Sequence, residues 1–417
     1  MRKGIHTMRH TVFHSADLLI PEASLLPKWA VIACDQYTSE PEYWEAVKDE
    51  VGDAPSALNL IFPEAWLKED RAARIAFINE SMRDCLNRNI LKAYPDSYVY
   101  VERTLVNGAV RRGVVGAVDL DAYDYAADAY SAIRATERTV VERIPPRVAI
   151  RKDAPLELTH VLMLCDDEQE TLIETLTAEK ESLPLLYDFD LMQGGGHITG
   201  WLVDGKAKER LKARIAAYEQ RMKEKYAAMG VSPILYAVGD GNHSLATAKN
   251  CWEALQHEHP EQAESHPARC AMVELENIRD AAQQFEPIHR VVTGTDPQLL
   301  ADSLTSVCAS GGYPIRVISA DSDGLFFLNP SLGELPVAIL QRFLDETVRP
   351  DQIDYIHGDD TAARLGRQPG AMAFLLPGIP KEGLFPGIAK DGVLPRKTFS
   401  MGHACEKRYY LEARKIR

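Results

Sequence analysis

The stretch Gly239-Asp240-Gly241-Asn242-His243-Ser244 brings a carboxylate, an imidazole, an amide and a hydroxyl together between glycines. It follows the apolar run Ile234–Val238, which predicts a strand. It precedes Leu245, Ala248, Trp252 and Leu255, whose three-to-four spacing predicts a helix. A strand that turns through glycine into a helix start makes an anion site. The first helical N–H groups lack partners, and the aligned peptide dipoles favour negative charge there. Gly239 and Gly241 would let the backbone approach a ligand, and Asp240 could hold a metal ion or orient a hydroxyl. His243 could donate to a phosphate oxygen or move a proton, and Asn242 or Ser244 could cap the helix. The same residues also read as an ordinary Asp-Gly-Asn turn. No Walker A loop and no dinucleotide fingerprint occurs in the chain.

Other segments carry groups that could complete such a site. Asp35 directly follows the apolar run Trp29–Cys34, with Glu40 and Glu42 close behind, and a carboxylate there could take a proton from an acceptor hydroxyl. Equally, Asp35 to Thr38 could only cap the next helix. Arg134, Arg138, Arg143 and Arg147 form a dense group of planar cations suited to phosphate, with Arg134 the preferred member. The alternative is an exposed, charged edge strand. His289 and Arg290 follow a Glu-Pro-Ile turn as a substrate or phosphate contact, or as a surface pair. Lys397 lies in a loop that could close over a site or pack as a tail. His160, His197, His243, His289 and His357 are dispersed without zinc-hydrolase spacing.

The elements that must position these groups read as mixed α/β. Helices are expected at 42–51 and 70–87 and on the face marked by Leu211, Ile215, Tyr218, Met222 and Tyr226. Strands are expected at 29–34, 98–105, 110–120, 234–238 and 271–278, the second and third joined by an Asn107-Gly108 turn. Proline and glycine seams suggest three units: 1–150, 151–295 with the central motif, and 296–417 returning to the others.

Composition narrows the partners. With 61 acidic and 47 basic residues the net charge is −14, and the basic residues are interspersed with acids, so no nucleic-acid partner is expected. No run approaches the roughly 20 apolar residues of a spanning helix. Met1 to His14 lacks the apolar core of a signal peptide, and the expectation is a soluble, cytoplasmic protein with no membrane partner. Seven scattered cysteines suit neither a disulfide framework nor a zinc knuckle. Cys34 and Cys405 lie beside polar motifs, where a thiol could be reactive.

Taken together, Trp29–Trp44, Ile133–Glu137, Gly239–Lys249, Pro287–Arg290 and Pro395–Ser400 resemble the bacterial and archaeal family called domain of unknown function 1015. The central motif also resembles the Asp-Gly-His-His-Arg signature of the ParB/sulfiredoxin-like fold, some members of which are free serine kinases. Asp240, Gly241 and His243 match that signature, whereas Asn242 replaces its first His and Ser244 its Arg. The resemblance implies a mixed-sheet ParB/sulfiredoxin-like core with additional α/β segments. It also implies a nucleotide-dependent phosphotransferase acting on a small hydroxyl compound, with free L-serine the most concrete acceptor. In that reading ATP or ADP and Mg²⁺ are cofactors. Gly239, Asp240, Gly241, Asn242, Ser244, Arg134, Arg290 and Lys397 bind the nucleotide, and Asp240 also holds the metal. Asp35, His243 and His289 do the chemistry. The missing Arg at Ser244 keeps open a non-catalytic nucleotide-binding regulator. A metal-dependent hydrolase using His243, His289 and His197 is the third reading, and a homo-oligomer is left open.

Overall fold

The computed structural model describes residues 11–67, 70–141 and 144–417. Arg143, one of the expected cations, therefore lies outside the described residues, as does most of the N-terminal stretch.

Two sheets organise the described chain, and helices cover them. The larger runs in the order Tyr123–Asp124, Ile133–Ala135, Tyr236–Asp240, Leu162–Cys165, Cys270–Asn277, Val110–Asp119, Leu91–Thr104, Ala16–Pro21, Ala413–Lys415 and Leu156–Leu158. Parallel and antiparallel pairs are mixed within it: Tyr236–Asp240 runs parallel to Ile133–Ala135 but antiparallel to Leu162–Cys165. The smaller sheet has the order Asp323–Leu328, Cys308–Ser319, Ala371–Leu375, Phe285–Thr293 and Ile353–His357. Phe399–Met401 adds to the start of its Phe285–Thr293 strand. Mixed α/β is the architecture, and residues from all three thirds of the chain build the larger sheet.

Local sequence explains most elements. The Val99↔Val115 register follows from a turn in which Gly108 takes φ +83°. Asp70 accepts from the amides of Ala72 and Ala73 and so starts the helix Arg71–Asn87. The helix Gly205–Ala228 buries Leu211, Ile215, Tyr218, Met222 and Tyr226, the stripe its spacing predicts. One expectation needs correction. Trp29–Cys34 is not a continuous strand, because Leu26–Trp29 forms a helical turn with Pro27 in it, leaving only Val31–Ile32 extended. That short strand pairs with Tyr409–Tyr410, which carries the C-terminal segment to the edge where Asp35 lies.

Candidate functional site

Strand direction decides which residues meet. Ile133–Ala135 and Tyr236–Asp240 are parallel, so the residues after each emerge at one end of the sheet: Glu137 from the first, Asp240 and Gly241 from the second. Leu162–Cys165 runs the other way, and Asp240 pairs with Leu162, so His160 enters at that same end. The Thr136 hydroxyl ties the two parallel strands by donating to the Val238 carbonyl at 2.6 Å. Ala33 donates to the Arg408 carbonyl at 3.0 Å, which sets Asp35 and Lys407 against this end.

The result is a polar cavity of about 130 Å³ lined by Asp35, Glu137, Arg138, Arg147, His160 and the run Asp240–Ser244, with Cys34 at its rim. Its floor is the start of the helix Asn242–Glu258. Gly241 is the N-cap in the left-handed region, φ +81°, and a Cβ there would lie 3.1 Å from the Val161 backbone. Glycine is required for both reasons. The expected cap by Asn242 or Ser244 is not made, because the turn is formed by the Gly241 backbone and Ser244 has another partner. Ser244 Oγ lies 3.0 Å from His160 Nε2. The Asn242 amide oxygen is buried at the cavity without a hydrogen-bond partner among the described residues, an orphaned group that a ligand donor would satisfy.

The charges are poised rather than cancelled. Asp240 accepts from the Gly241 amide at 2.9 Å and faces Lys407 Nζ at 3.3 Å. Burial pushes the Asp35 carboxyl up, but His160 in its protonated form, the Gln36 amide, Lys407 and Arg147 outweigh it and hold it below the usual range. Burial instead dominates at His160 and lowers its pKa, against the pull of Asp35 and Asp240, so neutral imidazole is favoured. His243 Nε2 accepts from the Val140 amide at 3.2 Å, which assigns the ring proton to Nδ1. Glu137 receives the amides of Lys397 and Thr398 at 2.9 and 2.8 Å. Arg147 pairs with Glu64 across the cavity's other wall. The Cys34 thiol, pushed up to about 12 by burial, is not a ready nucleophile.

Of the residues singled out from sequence, Asp35, Asp240, Gly241, Asn242, His243 and Ser244 line this cavity. Gly239 lies just behind it, where a Cβ would meet Met401 Sδ at 2.6 Å. Arg134 does not reach it. Its guanidinium runs back to the carbonyls of Ser131 and Ser232, each at 3.0 Å, which precede the two parallel strands and so mark the opposite end of the sheet. Arg138 and Arg147 stand at the cavity in its place. Arg290 is fully buried and spent on Gln341 and the carbonyls of Ile288, Arg396 and Lys397. The Lys397 ammonium sits 5.6 Å over the Tyr355 ring, beside Arg396. His289 accepts from the Leu376 amide and bonds Asp359 at 2.9 Å, lining a neighbouring cavity of about 600 Å³ with Gln36, His357, His403 and Lys407. His197 is held on a surface hairpin between Asp188 and Asp190, at 2.6 and 2.7 Å. Among the described residues no cluster of three or more His, Cys, Asp or Glu could hold a metal ion.

Sequence reasoning passed over His160, Glu137 and Lys407. The first two had a local signal: His160 precedes the buried run Val161–Cys165, and Glu137 ends the family-like stretch begun at Ile133. Lys407 had none, since its place depends on the pairing of Tyr409–Tyr410 with Val31–Ile32.

Fold and site define a mixed α/β protein whose polar cavity opens at a helix start. The chain belongs to the family described as protein of unknown function DUF1015, which it matches over residues 18–366. No curated protein matches it. Among solved structures it is similar to SbnI with a C-terminal truncation from Staphylococcus aureus, at 10% identity and a TM-score of 0.35 over 69% of this chain and 82% of that one. A conserved hypothetical protein from Pyrococcus furiosus is similar at 10% identity and a TM-score of 0.35, over 72% and 95%. A free serine kinase in complex with AMP is similar at 11% identity and a TM-score of 0.37, over 72% and 92%. Likeness at this level carries neither activity nor ligand to this chain. Among the described residues no helix is long and apolar enough to cross a membrane.

Proposed function

We propose that this protein is a nucleotide-dependent phosphotransferase acting on a small hydroxyl compound, with the polar cavity as its reaction centre. The observation that carries the reading is the meeting of Asp35, His160, Arg138, Arg147 and the Asp240–Ser244 helix start in one cavity. Phosphoryl transfer asks for positioning and for positive charge around the transferring group, with a base near the acceptor. The helix start and the two arginines would hold phosphate oxygens. Lys407, steered by Asp240, would add a point charge. Asp35, ionised at neutral pH, would take the acceptor's hydroxyl proton as its oxygen bonds to phosphorus and the bond to the nucleotide breaks. Neutral His160 would fix Ser244 and stay beside Asp35.

The donor set fits Mg²⁺ brought with the nucleotide, because Mg²⁺ takes one or two protein carboxylates with substrate phosphates, and Asp240 is at hand. Bound there it would neutralise charge between phosphates. Support for nucleotide as donor comes from the likeness of Asp240, Gly241 and His243 to the ParB/sulfiredoxin-like signature, and free L-serine is the first acceptor to try. Purified protein incubated with ATP or ADP, Mg²⁺ and a panel of hydroxy amino acids should yield a phosphorylated product visible by ³¹P NMR. Nucleotide binding with no product from any alcohol would leave the regulatory reading, which the engagement of Ser244 with His160 favours. Stoichiometric zinc without nucleotide affinity would favour the hydrolase.

A further inference from the structure

A second chamber of about 420 Å³ adjoins the polar cavity, and the proposed reaction does not use it. The two spaces share Cys34, Arg147, His160 and Ser244 as common wall. Beyond that wall the lining turns apolar, with Leu60, Phe62, Met82, Ile150, Leu245 and Met272. Among the charged groups there, Arg147 pairs with Glu64 and Arg151 with Glu157, and Arg71 also lines the chamber. This size and lining are those of a small-molecule site, where apolar walls bury a ligand's body and a few polar groups at one end orient it.

We propose that this chamber receives the base of the nucleotide, so that the donor lies along the helix Asn242–Glu258 with its phosphates at the helix start. The inference rests on the phosphotransferase reading and adds where each co-substrate goes. Ser244 belongs to both spaces, and Leu245, Thr247 and Ala248 continue the same helix face into the chamber. A ligand whose phosphates meet Gly241–Ser244 and Arg147 therefore has its apolar part led into the chamber. On the other side, Asp35 is bonded to Gln36 and Asp240 to Lys407, and both Gln36 and Lys407 line the neighbouring cavity of about 600 Å³ with His289, His357 and His403. A small polar acceptor is left to that side, next to the base that would deprotonate it.

Ala248→Phe and Ala154→Leu would fill the chamber from two walls without touching the polar cavity. Isothermal titration with ADP and with pyrophosphate, each with Mg²⁺, reads the result. ADP binding should weaken by about tenfold or more in both variants while pyrophosphate stays within about twofold of wild type. ADP affinity unchanged in two folded variants would overturn the chamber assignment alone, as would equal loss for ADP and pyrophosphate. A rise in acceptor KM with ADP affinity intact would give the chamber to the acceptor and overturn it likewise. Wild-type protein that binds no nucleotide would overturn the phosphotransferase reading, and the chamber assignment with it.

Discussion

Two segments of this chain each carry a histidine and a carboxylate, the second an arginine as well, yet the fold uses them in opposite ways. In Gly239–Ser244 several polar groups border the cavity: Asp240, the Asn242 oxygen and the helix start. In Phe285–Arg290 the polar groups are consumed by protein. Arg290 holds three carbonyls and a glutamine in the dark of the core, and His289 is fastened to Asp359 and the Leu376 amide. An arginine on a strand beside a loop is a ligand candidate only if the loop's backbone has other partners. Where a loop such as 396–398 turns unpaired carbonyls inward, the guanidinium is claimed for the fold.

The difference can be broken by substitution. Asp35→Asn keeps the shape of the polar cavity but removes its base, so phosphotransfer should fall by about a thousandfold while ADP affinity changes little. A single-turnover assay beside a titration separates the two, and equal loss of both would deny Asp35 its role. Next in size is Arg290→Ala, which should cost about 3 kcal/mol of stability by stranding buried carbonyls. Urea unfolding would read it, and a loss of nucleotide affinity at unchanged stability would contradict the division drawn here. Arg147→Ala should do the reverse. Nucleotide affinity should drop by about ten- to thirtyfold, only partly restored in Arg147→Lys, because lysine lacks the planar fork.

Smaller effects sharpen the same contrast. Gly241→Ala should cost about 1–2 kcal/mol, since alanine meets both a left-handed φ and the Val161 backbone. The smallest concerns acid. His160 has its pKa lowered in the folded state, so the unfolded chain binds its proton more readily. The corresponding stability is present above the unfolded value near 6.5 and is lost as pH falls below it. A thermal midpoint followed from pH 7.5 to 5 should decline more steeply in wild type than in His160→Gln.

How much of this was legible follows from how local each cause is. The helix after Ser244 and the hairpin at Asn107-Gly108 were readable, because periodicity and turn chemistry act over a few residues. Five motif residues, Asp240–Ser244, reach the cavity because a strand end and a helix start travel together. Arg134 was misplaced for a plain reason: sequence gives a strand's residues but not which end a long side chain runs to, and its partners Ser131 and Ser232 become neighbours only once the sheet forms. Lys407 was out of reach because the pairing of Tyr409–Tyr410 with Val31–Ile32 joins segments at opposite ends of the chain.

That distant pairing has a kinetic side. Arg103 and Arg111 grip the carbonyls of residues 405–407, and Arg408 is held by Glu274 and Glu412. The larger sheet can assemble its middle from residues 91–277, but Lys407 arrives only with a segment synthesised well after them. Such long-range closure pays its loop entropy before its contacts reward it. During synthesis the cavity thus stays incomplete until residues 403–410 have left the ribosome, so a chain stalled earlier would carry the Asp240 carboxylate without its lysine.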